Sequence, residues 1–200
     1  MRRFYLKSQG LENKGATIVS DEKHNSKYLL VGKWGIKNDA LSVYDLNGKL
    51  VSELKQVSVG KLPKFELFLQ GTKVGTVTTP IGFIRGFLLV HNLHWWIAGD
   101  TVTCHFKVFH GISTILEINR VQINGSAYIE LNVFDQEHLP LFICLAAILD
   151  RWIQKRPPLR EPKLVRTWKI NSDATSYNNF LKENLHENNQ SFHCRHSSGD

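Results

Sequence analysis

The residues best equipped for chemistry are five potential metal ligands within twenty positions: His91, His94, Cys104, His105 and His110. His91-x-x-His94 has a plausible ligand spacing. Adjacent strand residues, however, face opposite sides of a sheet, so Cys104 and His105 cannot easily share an ion. No paired C-x-x-C stands by to complete a structural zinc site. His193-Cys194-Arg195-His196 could chelate only without preorganisation. No metal and no cofactor are therefore expected.

Other chemistries find even less support. Gly32-Lys33-Trp34-Gly35 has a lysine after glycine, but lacks both the preceding Gly-x4 spacing and the following Ser or Thr of a phosphate loop. It reads as a turn or strand kink. No G-x-S-x-G elbow presents a nucleophilic serine. Cys144 lies in a long apolar run, where desolvation raises a thiol's pKa and leaves it inert. The carboxylates Asp39, Asp45, Glu53, Glu66, Asp100, Glu117 and Glu130 are scattered singly. Asp45 and Asp100 sit where Asp is a normal turn former. No catalytic residue is assigned, and the chain is expected not to be an enzyme.

The elements that would have to position such residues are mostly strands. From about Phe4 to Phe134, short β-branched and aromatic runs alternate with Gly-containing turns. Leu41–Leu46 and Lys49–Leu54 flank Asn47-Gly48, whose residues tolerate the positive φ a type I′ turn needs at both central positions. Gln70-Gly71, Gly99-Asp100, His110-Gly111 and Asn124-Gly125 repeat the plan. Trp95-Trp96-Ile97-Ala98 and Val102-Thr103-Cys104-His105-Phe106 are the strands expected around Gly99-Asp100. In Trp95-Trp96 one ring must face in and the other out. The outer ring could touch a ligand or a membrane interface, although partial cover by a loop is the simpler expectation. No amphipathic helix of 10–15 residues interrupts the series, which excludes βαβ architecture and leaves an antiparallel meander.

The pattern changes once. Leu139 to Leu149 is eleven residues without a charge, continued by Asp150-Arg151-Trp152-Ile153. Pro140 suits a helix start, and Pro157-Pro158 stops any helix beyond Arg156. Its length favours a helix, apolar on every face, and such a helix must be enclosed. A bilayer span takes about 20 apolar residues, so the enclosure has to be protein. With one helix evident, the strands must wrap it, and a sheet that surrounds a helix is a closed barrel.

The 200-residue chain carries a net charge of +7. Residues 1–150 hold 16 basic and 13 acidic side chains, whereas residues 151–200 hold 9 and 5. Arg151, Lys155, Arg156, Arg160, Lys163 and Arg166 face only Glu161 within their stretch. Such a run can meet lipid or nucleic-acid phosphate, or can simply be a solvated tail. Residues 173–200, rich in Asn, Ser and His, read as disordered. A short ordered segment around 164–170 is the one exception considered. Three cysteines, and a basic N-terminus with no apolar segment behind it, suggest a reducing, cytoplasmic setting.

An ordered series of motifs then carries a resemblance. Gly32-Lys33-Trp34-Gly35, Ser42-Val43-Tyr44-Asp45-Leu46-Asn47-Gly48, Glu53-Leu54-Lys55-Gln56 and Leu62-Pro63-Lys64-Phe65-Glu66-Leu67 come first. Lys73-Val74-Gly75, Trp96-Ile97-Ala98-Gly99-Asp100 and the apolar run ending Ala147-Ile148-Leu149-Asp150 follow. Over about Arg3 to Ile153 the chain resembles the LURP-one-related family, whose bacterial branch includes YxjI-like proteins. That family is similar to the C-terminal domain of tubby proteins and to phospholipid scramblases. The resemblance implies a closed twelve-stranded barrel around a hydrophobic helix; the turns alone suggest ten to twelve strands. No phosphoinositide-binding motif of tubby proteins maps onto positions here, so no site is carried over.

The expectation is thus a mainly β chain: a closed antiparallel barrel over 1–156, a central helix at about 138–155, and a basic, then polar, tail over 157–200. The expected function is non-enzymatic binding or scaffolding with no specific activity assigned, association with an anionic lipid surface being the first hypothesis, and no transmembrane span is expected. The six basic residues from Arg151 to Arg166 would each contribute about 1 kcal/mol near such a membrane. The alternatives are a protein or nucleic-acid interaction module, and a small-ligand or metal-dependent barrel using the His91–His110 region.

Overall fold

In a strand, every second side chain shares a face, and the buried apolar side chains of the strands lie on the inner one, while Ile18 and Leu29 stand outside. Phe4 and Leu6, Leu41 and Val43, Phe65 and Leu67, and Ile129 and Leu131 are all buried, with more exposed neighbours between them. The computed structural model describes residues 1–8, 15–33, 36–59, 63–79, 87–100 and 103–155. Its strands are β1 (Arg2–Lys7), β2 (Ala16–Asp21), β3 (Ser26–Gly32), β4 (Ala40–Asp45), β5 (Leu50–Gln56) and β6 (Phe65–Leu69). They continue as β7 (Thr72–Thr78), β8 (Leu88–His91), β9 (Trp95–Asp100), β10 (His105–His110), β11 (Ser113–Ile123) and β12 (Ser126–Val133). Each strand pairs antiparallel with its neighbours in sequence, and β1 also pairs with β12, Phe4 opposite Leu131. The sheet is a closed barrel of twelve strands, and closure leaves no free edge.

The helix α1 (Leu139–Lys155) supplies the rest of the core. At 1.5 Å per residue its 17 residues span about 25 Å. None of the nine residues from Leu141 to Leu149 is more than 4% exposed, and they form one cluster with the inward side chains of the strands. A helix apolar all round is stable here because the barrel surrounds it. Met1–Lys155 forms one compact unit. The expected tail over 157–200, the segment around 164–170 and the boundary beyond the helix lie outside the described residues.

Two expected turns are corrected. At Asn47-Gly48, only Gly48 has a positive φ (+79°). The Asp45 carboxylate accepts from the N–H groups of Asn47 and Lys49, at 2.9 and 2.8 Å, and widens the connection. Leu50 rather than Lys49 then opens β5, opposite Tyr44, with a register shift beside it. The type I′ pattern does occur at Gln70-Gly71 and Asn124-Gly125, where both residues have positive φ. Gly99-Asp100 is not a turn at all but the end of β9, Asp100 pairing with His105. A Cβ at Gly99 would lie 2.3 Å from the His105 carbonyl oxygen, so glycine serves close strand approach there. Cys104 belongs to the turn instead of a strand, with φ +56°, and β10 starts one residue later. Val102 lies outside the described residues. Gly32, from the expected kink, ends β3 with φ +125°; Trp34 and Gly35 lie outside the described residues.

Register also sorts the connections. The β2–β3, β4–β5, β6–β7, β8–β9 and β10–β11 hairpins lie at the end of the barrel where α1 begins. That end is the entrance of the barrel.

Candidate functional site

The entrance is built asymmetrically. On one side it is sealed by rings. Trp95, 3% exposed, packs edge-on against His138 (centroids 5.0 Å) and tilted against Phe142 (5.3 Å). His138 sits just before α1, its Nδ1 2.8 Å from a carboxylate oxygen of Asp135. A bulge fixes this approach: the Ile115 carbonyl accepts from the N–H groups of Phe134 and Asp135 as the chain leaves β12.

On the other side, over β1 to β4, the entrance opens into a pocket of about 680 Å³. Arg2 stands two residues above the buried Phe4, on the same pleat side of β1. Tyr28 comes from β3, Asp21 from the end of β2, Asp45 from the end of β4, and Gln136 and Leu139 from the approach to α1. Arg3, Lys23 and Lys27 add positive charge, and Glu22 is exposed on the β2–β3 turn.

Two of the three carboxylates serve their own turns. Asp21 accepts from the N–H groups of Lys23 and Asn25, both at 2.9 Å, and pairs with Lys27 at 3.3 Å. Desolvation opposes its ionisation, but the bonds from Asn25, Lys27 and Lys23 outweigh it and hold its pKa down at about 2. Asp45 caps the β4–β5 turn. Burial, and then the charge of Asp45, push the Tyr28 hydroxyl pKa up, so the phenol stays a donor. Among the described residues, the Arg2 guanidinium makes no hydrogen bond or ion pair.

At the opposite end the barrel interior is also polar, but its groups face one another. The Ser8 hydroxyl donates to the Asp150 carboxylate, 2.9 Å to Oδ2 and 3.1 Å to Oδ1. Arg120 Nη2 donates to Ser8 Oγ at 3.1 Å and lies 4.0 Å from Asp150.

The histidine-rich segment does not converge. His91 meets the Thr78 hydroxyl at 2.8 Å, and His94 occupies the β8–β9 turn with φ +55°. His105 bonds Asn119 in an outer polar row that continues through Glu130 to Tyr5, across four strands. Cys104 is buried, and His110 ends β10. Among the described residues, no three His, Cys, Asp or Glu side chains are placed to hold a metal ion. Cys144 is fully enclosed, with Ser52 Oγ 3.5 Å from its sulfur; burial pushes its thiol pKa up to about 12. Trp95 faces in, while Trp96 is half-buried on the wall, stacked on Phe109 at 3.9 Å and donating to the Gly111 carbonyl.

Of the basic residues singled out in the sequence, Arg151 and Lys155 belong to the last turns of α1, while Arg156, Arg160, Lys163 and Arg166 lie outside the described residues. Sequence reasoning passed over Arg2, Tyr28 and Gln136. The two-residue spacing of Arg2 from Phe4 and Leu6 is the signal that would have put Arg2 at the rim.

The fold and its entrance define a class: closed antiparallel barrels filled by their own helix. Two known proteins are similar to the chain. The uncharacterised protein YxjI of Bacillus subtilis (strain 168) is 21% identical over 150 residues, which is 75% of this chain and 93% of YxjI. An X-ray structure of an Arabidopsis thaliana protein superposes with a TM-score of 0.50 at 14% identity, over 76% of this chain and 90% of that one. The latter likeness concerns the fold. No family model matches the chain.

Proposed function

We propose that this chain is a non-enzymatic, cytoplasmic binding protein of the LURP-one-related, tubby-like type, whose barrel is a rigid scaffold and whose basic C-terminal run contacts anionic lipid surfaces. One observation carries the reading: the interior of the barrel is occupied by Leu141–Leu149, packed against the inward side chains of the strands. A barrel that holds a ligand in its lumen needs that space empty. Recognition is therefore assigned to the ends and the outside. No helix among the described residues is long and apolar enough to cross a membrane, which suits peripheral attachment by charge. The six basic residues from Arg151 to Arg166 supply that charge.

The test is co-sedimentation of the full chain with neutral and anionic vesicles at low and high salt. Arg156, Arg160, Lys163 and Arg166 are replaced together by glutamine. The full chain is expected to bind anionic vesicles only, with binding weakened by salt and largely lost in the substituted chain. Equal binding by both chains moves the contact to the barrel. Absence of binding by either removes the lipid surface as partner and directs the search to protein or nucleic acid.

A further inference from the structure

We propose that the entrance pocket is a binding site for a phosphate monoester, with Arg2 as its principal ligand-binding residue. The pocket is large enough for a small organic molecule and is set into a rigid rim of paired strands. Its charges are arranged unequally. The Asp21 carboxylate is filled by its turn and by Lys27, and that of Asp45 by two N–H groups. These two carboxylates are structural parts of the rim and have no need of a ligand cation; the third, Glu22, is exposed on the β2–β3 turn.

The positive side is the reverse. Among the described residues, Arg2 has no partner for its planar fork of donors, although it stands over the enclosed core at the head of β1. A guanidinium in that position is matched by a doubly negative oxyanion, which accepts two parallel N–H bonds. The Tyr28 hydroxyl and the Gln136 amide also make no hydrogen bond among the described residues, and both line the same pocket. They supply neutral donors for the remaining phosphate oxygens or for hydroxyl groups on the body of the ligand. Lys23, on the adjoining turn, adds long-range attraction. The pocket shares no residue with the basic run of the proposed function, and the two readings are tested independently.

A phosphate monoester occurs free or on a lipid, and the experiment separates the two. Glycerol 3-phosphate is titrated into the full chain by calorimetry, with glycerol as the uncharged control. Vesicles containing phosphatidic acid form the second arm. The variants are Arg2→Gln, Arg2→Lys and Tyr28→Phe. Arg2 is exposed and its backbone pairing with Val133 is unaffected by the side chain, so Arg2→Gln is expected to keep the wild-type circular dichroism and melting temperature.

Binding of glycerol 3-phosphate but not glycerol, weakened about ten- to hundredfold by Arg2→Gln, less by Arg2→Lys and modestly by Tyr28→Phe, supports the proposal with a soluble ligand. The same dependence on Arg2 seen only with phosphatidic acid vesicles supports it with a lipid-borne phosphate. Absence of binding in both arms, or binding unchanged in Arg2→Gln, overturns it. The chain with its four tail residues replaced is expected to retain the Arg2-dependent binding, so failure of the tail reading and failure of this one give different results.

Discussion

The two ends of the central helix meet the barrel differently. At the Asp150 end, polar groups that face the interior satisfy one another: the carboxylate accepts from Ser8, and Ser8 accepts from Arg120. At the Leu139 end, rings close one side and a pocket opens on the other, where Arg2 stands without a partner among the described residues. A polar group taken out of water costs free energy unless it is paired. The first end is arranged to meet that cost within the protein. The second leaves groups in contact with solvent, available to something else. The contrast separates a structural polar cluster from a candidate binding site, although both contain an arginine and an aspartate.

The largest effect is expected where the helix meets the sealed side of the entrance. Phe142 is completely buried and packs on Trp95. Phe142→Ala should lower the unfolding free energy by about 3–5 kcal/mol, since it removes a large ring from an enclosed site that can only partly collapse. Urea unfolding followed by tryptophan fluorescence checks this. A loss below about 1 kcal/mol would mean that the entrance is not packed as described.

A smaller effect belongs to the other end. Asp150→Ala removes the acceptor of Ser8 and leaves the inward Arg120 without its nearby carboxylate. The side chains keep some solvent contact, 13% for Asp150 and 25% for Arg120. The expected loss is therefore about 1.5–3 kcal/mol, the range for hydrogen bonds to a charged group, instead of the full penalty for an isolated buried ion. Arg2→Gln at the entrance should leave stability near wild type in the same urea assay. If the two substitutions destabilise equally, the contrast between the ends fails.

Much of the barrel was legible in the sequence because its signals are local. The apolar helix has no polar stripe to expose, so it announces its own enclosure. The period-two runs and the turn residues between them mark the wall. The misreadings came from contacts made across a turn or between strands. Asp45 caps two N–H groups and converts the Asn47-Gly48 turn into a wider one. Gly99 reads as a turn residue, yet it sits in a strand, where the His105 carbonyl comes too near for a Cβ. The entrance pocket was hidden for a different reason. Arg2, Tyr28 and Gln136 are far apart in the chain: antiparallel pairing sets the head of β1 beside the end of β2 and the start of β3, and the closing β1–β12 pair brings it to the approach to α1. The His91–His110 cluster shows the converse: close in sequence, its members are spread over two strand ends, two turns and the outer wall.

The smallest effect tests whether the entrance carboxylates belong to the rim. Asp21 has its pKa held down from 3.8 to about 2, against desolvation, by bonds from Asn25, Lys27 and Lys23. A folded-state pKa below the unfolded one means that the folded chain binds fewer protons in that interval. The stabilisation is then fully present above about pH 4 and is lost as the pH falls toward 2. Asp21→Asn keeps one acceptor oxygen for the turn but cannot ionise. Its melting temperature should lie slightly below wild type at pH 7, and the gap should narrow between pH 4 and pH 2. Melting curves at pH 7, 4 and 2 decide it. A gap that persists undiminished at pH 2 would show that the ionised carboxylate is not what the turn holds, and the charge of Asp21 would then be free to meet a ligand. In that case the negative charge of the pocket, and with it the preference argued for Arg2, would need to be recounted.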